Sequence, residues 1–333
     1  MSYVLGIDIG VGTVKAAVCR DTGEPGWGPP QPVSLGARSP VVGSALRMTA
    51  DGTVVPAEVG QHPADAVGGY LHRIGDPLPM YFGGDYFPAH GLTAAMARWV
   101  VDRVWELMGE PPVRVAVAHP SGWGAGRLGL LQAGLAEADL MGCVLVTRAR
   151  AVVECHQAAG RAPTTGGLLG VHRLGGSTAE VALVAPQQRG RMELLASAEL
   201  TDVGGFEVDG LTPADARALI RPTIDLAAAL VRSRGYGTGD LSAVLIAGVD
   251  GAVCTVVSDL FSAEFPAPVV RDPQPRMTVA FGAALAGRPA VPPHDLAVAG
   301  PTDAFAVLPA VSPPHLAPSR PPVDLVAVRA DAR

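Results

Sequence analysis

Val4-Leu5-Gly6-Ile7-Asp8-Ile9-Gly10-Val11-Gly12-Thr13-Val14-Lys15-Ala16-Ala17-Val18 reads as two short apolar strands joined at Gly10-Val11-Gly12. The β-branched and aliphatic content of the first half suits a buried strand, interrupted by one carboxylate, Asp8. Glycines at 10 and 12 allow positive φ and keep side chains off the turn. Backbone N–H groups at such a turn can cradle an anion, with Asp8 beside them as a candidate weak metal ligand. A hairpin whose Asp caps its own turn fits the same residues. The spacing matches neither Gly-x-Gly-x-x-Gly nor Gly-x(4)-Gly-Lys-Ser/Thr, so neither dinucleotide nor P-loop chemistry follows.

The 333 residues suffice for two domains, and 48% hydrophobic with 17% charged residues describes a globular chain. A net charge of -6 argues against nucleic acid as a partner. Four cysteines, at 19, 143, 155 and 254, show no metal or disulfide spacing and read as small hydrophobes in a reducing compartment. With neither a signal peptide nor an apolar run of membrane-spanning length, the expectation is a cytoplasmic protein without direct membrane insertion. Lys15 is the sole lysine, so any lysine-dependent mechanism rests on it.

Strands and helices alternate along most of the chain. Pro40 to Val55 alternates apolar and polar residues and reads as strands with a turn at Ala50-Asp51-Gly52. A short helix is expected over Ala64–Tyr70, and a long one from His90 to Met108 ending at Gly109. Val113–Ala118 reads as a strand, Leu128–Leu140 as a helix, Val144–Thr147 as a strand and Ala149–Ala159 as a helix. The second half opens with a three-strand meander around Leu174-Gly175-Gly176-Ser177-Thr178. Thr212-Pro213-Ala214-Asp215 is a helix start: a Thr cap, Pro at the first position and an acid in the first turn. Beyond Gly287 prolines crowd the sequence, and a tail without a core of its own is expected over 288–333.

An ordered series of motifs resembles the nucleotide-binding domain of DnaK-type heat-shock (70 kDa) chaperones, in the actin-like ATPase superfamily. After the hairpin come Leu71-His72-Arg73-Ile74-Gly75, similar to Lys-Arg-x-Ile-Gly, and Val115–Ser121, similar to an apolar strand ending x-Pro-Ala. Leu174-Gly175-Gly176-Ser177-Thr178-Ala179-Glu180-Val181 resembles the second phosphate loop, and Val203-Gly204-Gly205-Phe206-Glu207-Val208-Asp209 resembles Leu-Gly-Gly-x-x-Phe-Asp. The resemblance covers about residues 1–287. It implies an α/β, actin-like ATPase fold: two lobes of mixed β-sheet with flanking helices around a central cleft. The first lobe would span 1–160 with a small subdomain inserted at about 39–111, and the second 161–287 without its usual insertion. It places Gly10, Val11, Gly12, Thr13, Gly175, Gly176, Ser177, Thr178, Gly204, Gly205 and Gly248 around a nucleotide.

The departures bear on function. Leu71 stands where the family has its catalytic lysine, Arg148 where it has a glutamate acting through water on the metal, and Arg173 where it has another metal-shell aspartate. Asp8 survives, and Glu180 takes the place of a family aspartate. Phosphoryl transfer needs magnesium and groups that orient water, and two guanidinium ions there oppose a metal. The resemblance with these departures implies a pseudo-ATPase acting as an interaction or regulatory scaffold with a protein partner. No cofactor is expected, with ATP or ADP and magnesium left open, since Arg also forks onto phosphate. Alternatives are an active ATPase or chaperone of the same family, and an accessory component of a secretion or cell-envelope system. Lys15, matching a lysine of sugar-kinase hairpins, is expected on a solvated strand face. His119 and Trp123 read as packing and turn residues.

Overall fold

The computed structural model describes residues 2–23, 26–37, 39–57, 66–164, 166–186 and 192–289. The expected Pro-rich tail beyond 289 lies outside the described residues. The protein is mixed α/β, built on two mixed sheets.

The opening stretch forms the predicted hairpin: β1 (Tyr3–Ile9) and β2 (Thr13–Arg20) pair antiparallel, with Ile9 opposite Val14. On one side β2 pairs with β3 (Gln31–Pro32) and β4 (Val41–Gly43). On the other, β1 runs parallel to β9 (Arg114–His119), which runs parallel to β10 (Val144–Thr147). The second sheet repeats this plan. β11 (Leu168–Leu174) is antiparallel to β12 (Ala179–Pro186), and β12 to β13 (Met192–Leu200). β11 is also parallel to β14 (Leu241–Ala247), and β14 to β15 (Val269–Arg271).

Helices complete the repetition. α1 (Ala89–Met108), α2 (Ala125–Glu137) and α3 (Arg148–Ala158) interleave with the first sheet's later strands. In the second, α5 (Pro213–Ser233), α6 (Gly251–Glu264) and α7 (Thr278–Ala286) do the same, after one short turn of helix, α4 (Gly205–Val208). Each main sheet with its helices, termed a lobe below, is therefore three antiparallel strands followed by helix, strand, helix, strand, helix.

Local chemistry explains the main helices. In α1, Leu92, Met96, Val100 and Val104 recur every fourth residue and are buried. Gly109 ends it in the left-handed conformation, φ 77°, donating to the Trp105 carbonyl at 2.8 Å. In α5, Ala216, Ile220, Ile224, Ala228 and Val231 form the buried stripe. Thr212 caps it, its hydroxyl accepting from Asp215 N at 3.2 Å. As expected for a chain with no insertion there, only Asp209 to Thr212 separate α4 from α5, with Gly210 at φ 79°. Thr212→Ala should lower stability by about 1 kcal/mol, read from urea unfolding.

Several expectations are corrected. α2 covers 125–137 instead of 128–140, because Asp139 turns left-handed at φ 57°. No helix spans 66–70: Val67 makes a bridge to Leu46, and a tight 3-10 turn follows at Tyr70–Arg73. The rest of that expected helix lies outside the described residues. Two small hairpins stand beside the first sheet: β5 (Leu46–Met48) with β6 (Val54–Pro56), and β7 (Met80–Phe82) with β8 (Asp85–Phe87). The second turns at Gly83-Gly84, a two-residue hairpin signal between aromatic pairs that was not among the expectations. Helix α1 packs on β1 and α2 and also on the Tyr70–Arg73 turn and β6, so it joins the small hairpins to the first sheet.

The lobes share a core. α3 lies against β11, β12 and β14 of the second sheet, while α7 lies on β1, β2 and β9 of the first, and the two helices cross. The crossing is made of very small residues. A Cβ on Gly282 would stand 1.7 Å from the Ala151 carbonyl oxygen, and one on Gly6 2.2 Å from Ala284 N. Ala116, Ala118, Ala149, Ala151, Ala243 and Ala283 fill the space around them. Among the described residues no helix is long and apolar enough to cross a membrane.

Candidate functional site

Strand ends and the turns after them meet where the two lobes face each other. Asp8 is the penultimate residue of β1, Arg173 the penultimate residue of β11, and Glu180 the second of β12. Arg148 opens α3 directly after β10. All four are buried, with Arg148 only 1% exposed. Arg148 Nε lies 3.6 Å from Asp8 Oδ1 and its Nη1 3.7 Å from Glu180 Oε2. Arg173 Nη2 lies 3.6 Å from Asp8 Oδ2. These pairs are longer than hydrogen bonds and are held by charge.

Directed hydrogen bonds fix the outer atoms. Arg148 Nη2 donates to the Ile9 carbonyl at 2.9 Å. Glu180 Oε1 accepts from Ser121 N at 3.0 Å, and the Ser121 hydroxyl accepts from Ala149 N at 2.9 Å. The network therefore ties β1 and the turn after β9 in the first lobe to β11 and β12 in the second.

Lys15 corrects the sequence reading. It is 4% exposed, not solvated, and its Nζ donates to Asp8 Oδ2 at 3.3 Å. Its register explains this: Lys15 pairs with Asp8 across the hairpin, so both side chains leave the sheet on the same face. Burial pushes the Asp8 carboxyl up, but Lys15, Arg173 and Arg148 together outweigh it and hold the group well below the usual carboxylate range. Burial draws the Lys15 ammonium down, opposed by Asp8.

Leu71, which the resemblance aligns with a catalytic lysine, is buried in the first lobe's core. Its neighbour His72 faces the charges instead. Burial lowers its pKa, Glu199 opposes, and Arg148, Arg127 and Arg173 lower it further. Glu199 pairs in register with Glu180 across β12 and β13. Neither His72 nor Glu199 was singled out from sequence. Glu199 meets Glu180 only through the bulged β12–β13 register, which no local periodicity shows. His119 and Trp123 stack with ring centroids 6.1 Å apart and are buried, which agrees with packing roles.

The glycine motifs also converge, and the structure corrects why glycine stands in the first. Neither Gly10 nor Gly12 has positive φ. What Gly12 lacks is room: a Cβ there would stand 2.2 Å from Phe206 Cε2. One on Gly176 would stand 2.7 Å from the same atom. Gly204 lies on Gly176 and Ser177, where a Cβ would stand 2.3 Å from the Gly176 carbonyl oxygen. Gly248, at φ 102°, crosses the backbone of Leu174. The turns Gly10–Thr13 and Gly175–Thr178, with Gly204, Gly205 and Gly248, thus form one cluster.

Much of that cluster's polar capacity is met internally. Ser44 N donates to the Gly12 carbonyl at 3.2 Å, the Ser44 hydroxyl bonds the Val11 carbonyl, and the Tyr70 hydroxyl bonds Ser44 O. Gly205 N donates to the Gly175 carbonyl at 2.7 Å and Phe206 N to the Gly176 carbonyl at 2.8 Å. The Arg173 guanidinium lies against Gly10 and Gly175, where a Cβ would stand 3.5 Å from Nη2 and 2.7 Å from Nη1. Two side chains of the protein, Arg173 and Phe206, therefore fill space between the glycine turns.

This donor set does not fit magnesium at Asp8. Its two carboxylate oxygens face Lys15, Arg148 and Arg173 at 3.3 to 3.6 Å, and Glu180 faces Arg148. A divalent cation would displace those pairs and sit among three positive side chains. No family model matches the chain, and no curated protein matches it in sequence.

Proposed function

We propose that this chain is a degenerate relative of the DnaK-type nucleotide-binding domain, with an actin-like arrangement of lobes, that has exchanged nucleotide chemistry for a fixed, protein-binding scaffold. Support for the fold comes from the duplicated strand order, the crossing of α3 and α7, and a cleft lined by two glycine hairpins. Support for the loss of catalysis comes above all from one observation: Arg148 and Arg173 occupy the carboxylate side of the cleft and pair with Asp8 and Glu180, with Arg148–Glu180 and Arg173–Asp8 crossing between the lobes. Phosphoryl transfer of this type needs a metal bridging the phosphates and a group that orients water. Here the carboxylates that would serve the metal neutralise guanidinium ions instead. The partner class is protein, and the setting that four free cysteines suit is the cytosol.

The same-family ATPase is the second reading, favoured by the retention of Asp8 and of both glycine turns. A thermal-shift titration of the natural chain separates the two. A ligand at a hundredfold excess over its dissociation constant stabilises a fold by about 2.7 kcal/mol. The expected result is no shift with magnesium–ATP or magnesium–ADP. A saturable, magnesium-dependent shift, or ATP turnover lost in Asp8→Asn, would establish the ATPase reading instead.

A further inference from the structure

The two glycine turns belong to different lobes. Gly10–Thr13 follows β1, and Gly175–Thr178 follows β11. Phe206 touches both. Its Cε2 is the atom that a Cβ at Gly12 would meet at 2.2 Å and one at Gly176 at 2.7 Å. One ring edge therefore lies against the backbone of both turns.

The ring has an anchored side and a reaching side. Gly205 N and Phe206 N donate to the Gly175 and Gly176 carbonyls, so α4 moves with the second lobe. Gly204 lies flat on Gly176 and Ser177, and the Val249 side chain covers Gly205. The contact to Gly12 is what crosses to the first lobe. Phe206 is still 49% exposed, so it is not part of either lobe's core.

We propose that Phe206 is a clasp: its ring takes the space between the two turns and, in addition to the buried core and charge network that join the lobes, holds the turns together without a ligand. Where two segments face each other across a gap, a ligand favours their closure by touching both sides. Here a side chain of the second lobe makes both contacts. The closed state is then constitutive, and so is any binding surface that depends on the relative position of the lobes. Because the ring is half-exposed and outside the cores, its loss releases the turns without unfolding either lobe. The inference rests on the reading of the cleft as free of nucleotide.

Hydrogen exchange read by mass spectrometry on the full chain, with no nucleotide present, tests it. Phe206→Ala should accelerate exchange at both 10–13 and 175–178 by about tenfold or more, the mark of local opening. Strands β1, β11 and β14 should exchange as in the natural chain, and Phe206→Tyr should keep natural protection at both turns. Unchanged exchange at 10–13 would overturn the clasp. So would a uniform acceleration across both lobes, which would assign Phe206 to general stability. A magnesium–ATP thermal shift in the natural chain would count against the pseudo-ATPase reading alone, because the exchange comparison contains no nucleotide.

Discussion

Asp8→Ala should lower the stability of the folded chain by about 3–5 kcal/mol, the cost of removing one partner from a buried ionic set. Asp8 is 1% exposed and is within 3.6 Å of Lys15, Arg148 and Arg173. Without it, Lys15 and Arg173 lose the carboxylate they face, and Arg148 keeps only Glu180. Reversible urea unfolding at pH 7 gives the number. A loss below about 1 kcal/mol, the range of exposed pairs, would show that solvent reaches the cluster.

The pH dependence has a definite sign. The folded-state pKa of Asp8 is depressed, because the three cations outweigh the burial that raises it. A depressed carboxyl contributes stability that is present above its unfolded value, about 3.9, and is lost as pH falls toward the folded value. The difference between natural protein and Asp8→Ala should therefore be constant from pH 7 to about pH 5 and shrink below about pH 4. A difference that grew on acidification would contradict the assignment of Asp8 as the ionised partner.

Gly282→Val should be at least as damaging, costing about 3 kcal/mol or more and sharply reducing the yield of soluble protein. The first atom of any side chain at 282 would lie 1.7 Å from the Ala151 carbonyl oxygen and 2.7 Å from Ala151 Cα. Those are backbone atoms of α3, so no rotamer relieves the clash, and the helices must separate. Separation would open the alanine-lined layer shared by the two sheets. Gly129→Ala is the matched control. Gly129 lies in α2 with nothing within 4 Å of a Cβ, and alanine there should stabilise by about 0.5–1 kcal/mol. Equal behaviour of the two variants in urea unfolding would show that the α3–α7 crossing is looser than drawn.

Sequence alone was enough for features whose cause lies within a few residues. The opening hairpin, the Thr212 cap, the Gly109 terminus and the apolar stripes of α1 and α5 follow from turn chemistry, capping and periodicity. The expectation of two sheet-based lobes came from the resemblance of the motif series, not from those local features. The presence of two arginines, Arg148 and Arg173, at the ends of the motif strands was also visible, because a motif shows the residue type at each position. Partners were not visible. The hairpin register sets Lys15 opposite Asp8, but the burial of that pair was hidden until the second sheet, with Arg173, covered it. Glycines 6, 12 and 282 carry no local signal for the backbones and ring that crowd them. Leu71 and His72 could not be told apart until the turn at Tyr70–Arg73 sent one into the core and the other toward the charges. Periodicity says which face of an element is covered; only the packing of distant segments says what covers it, and in this chain that packing puts Phe206 and two arginines between the glycine turns.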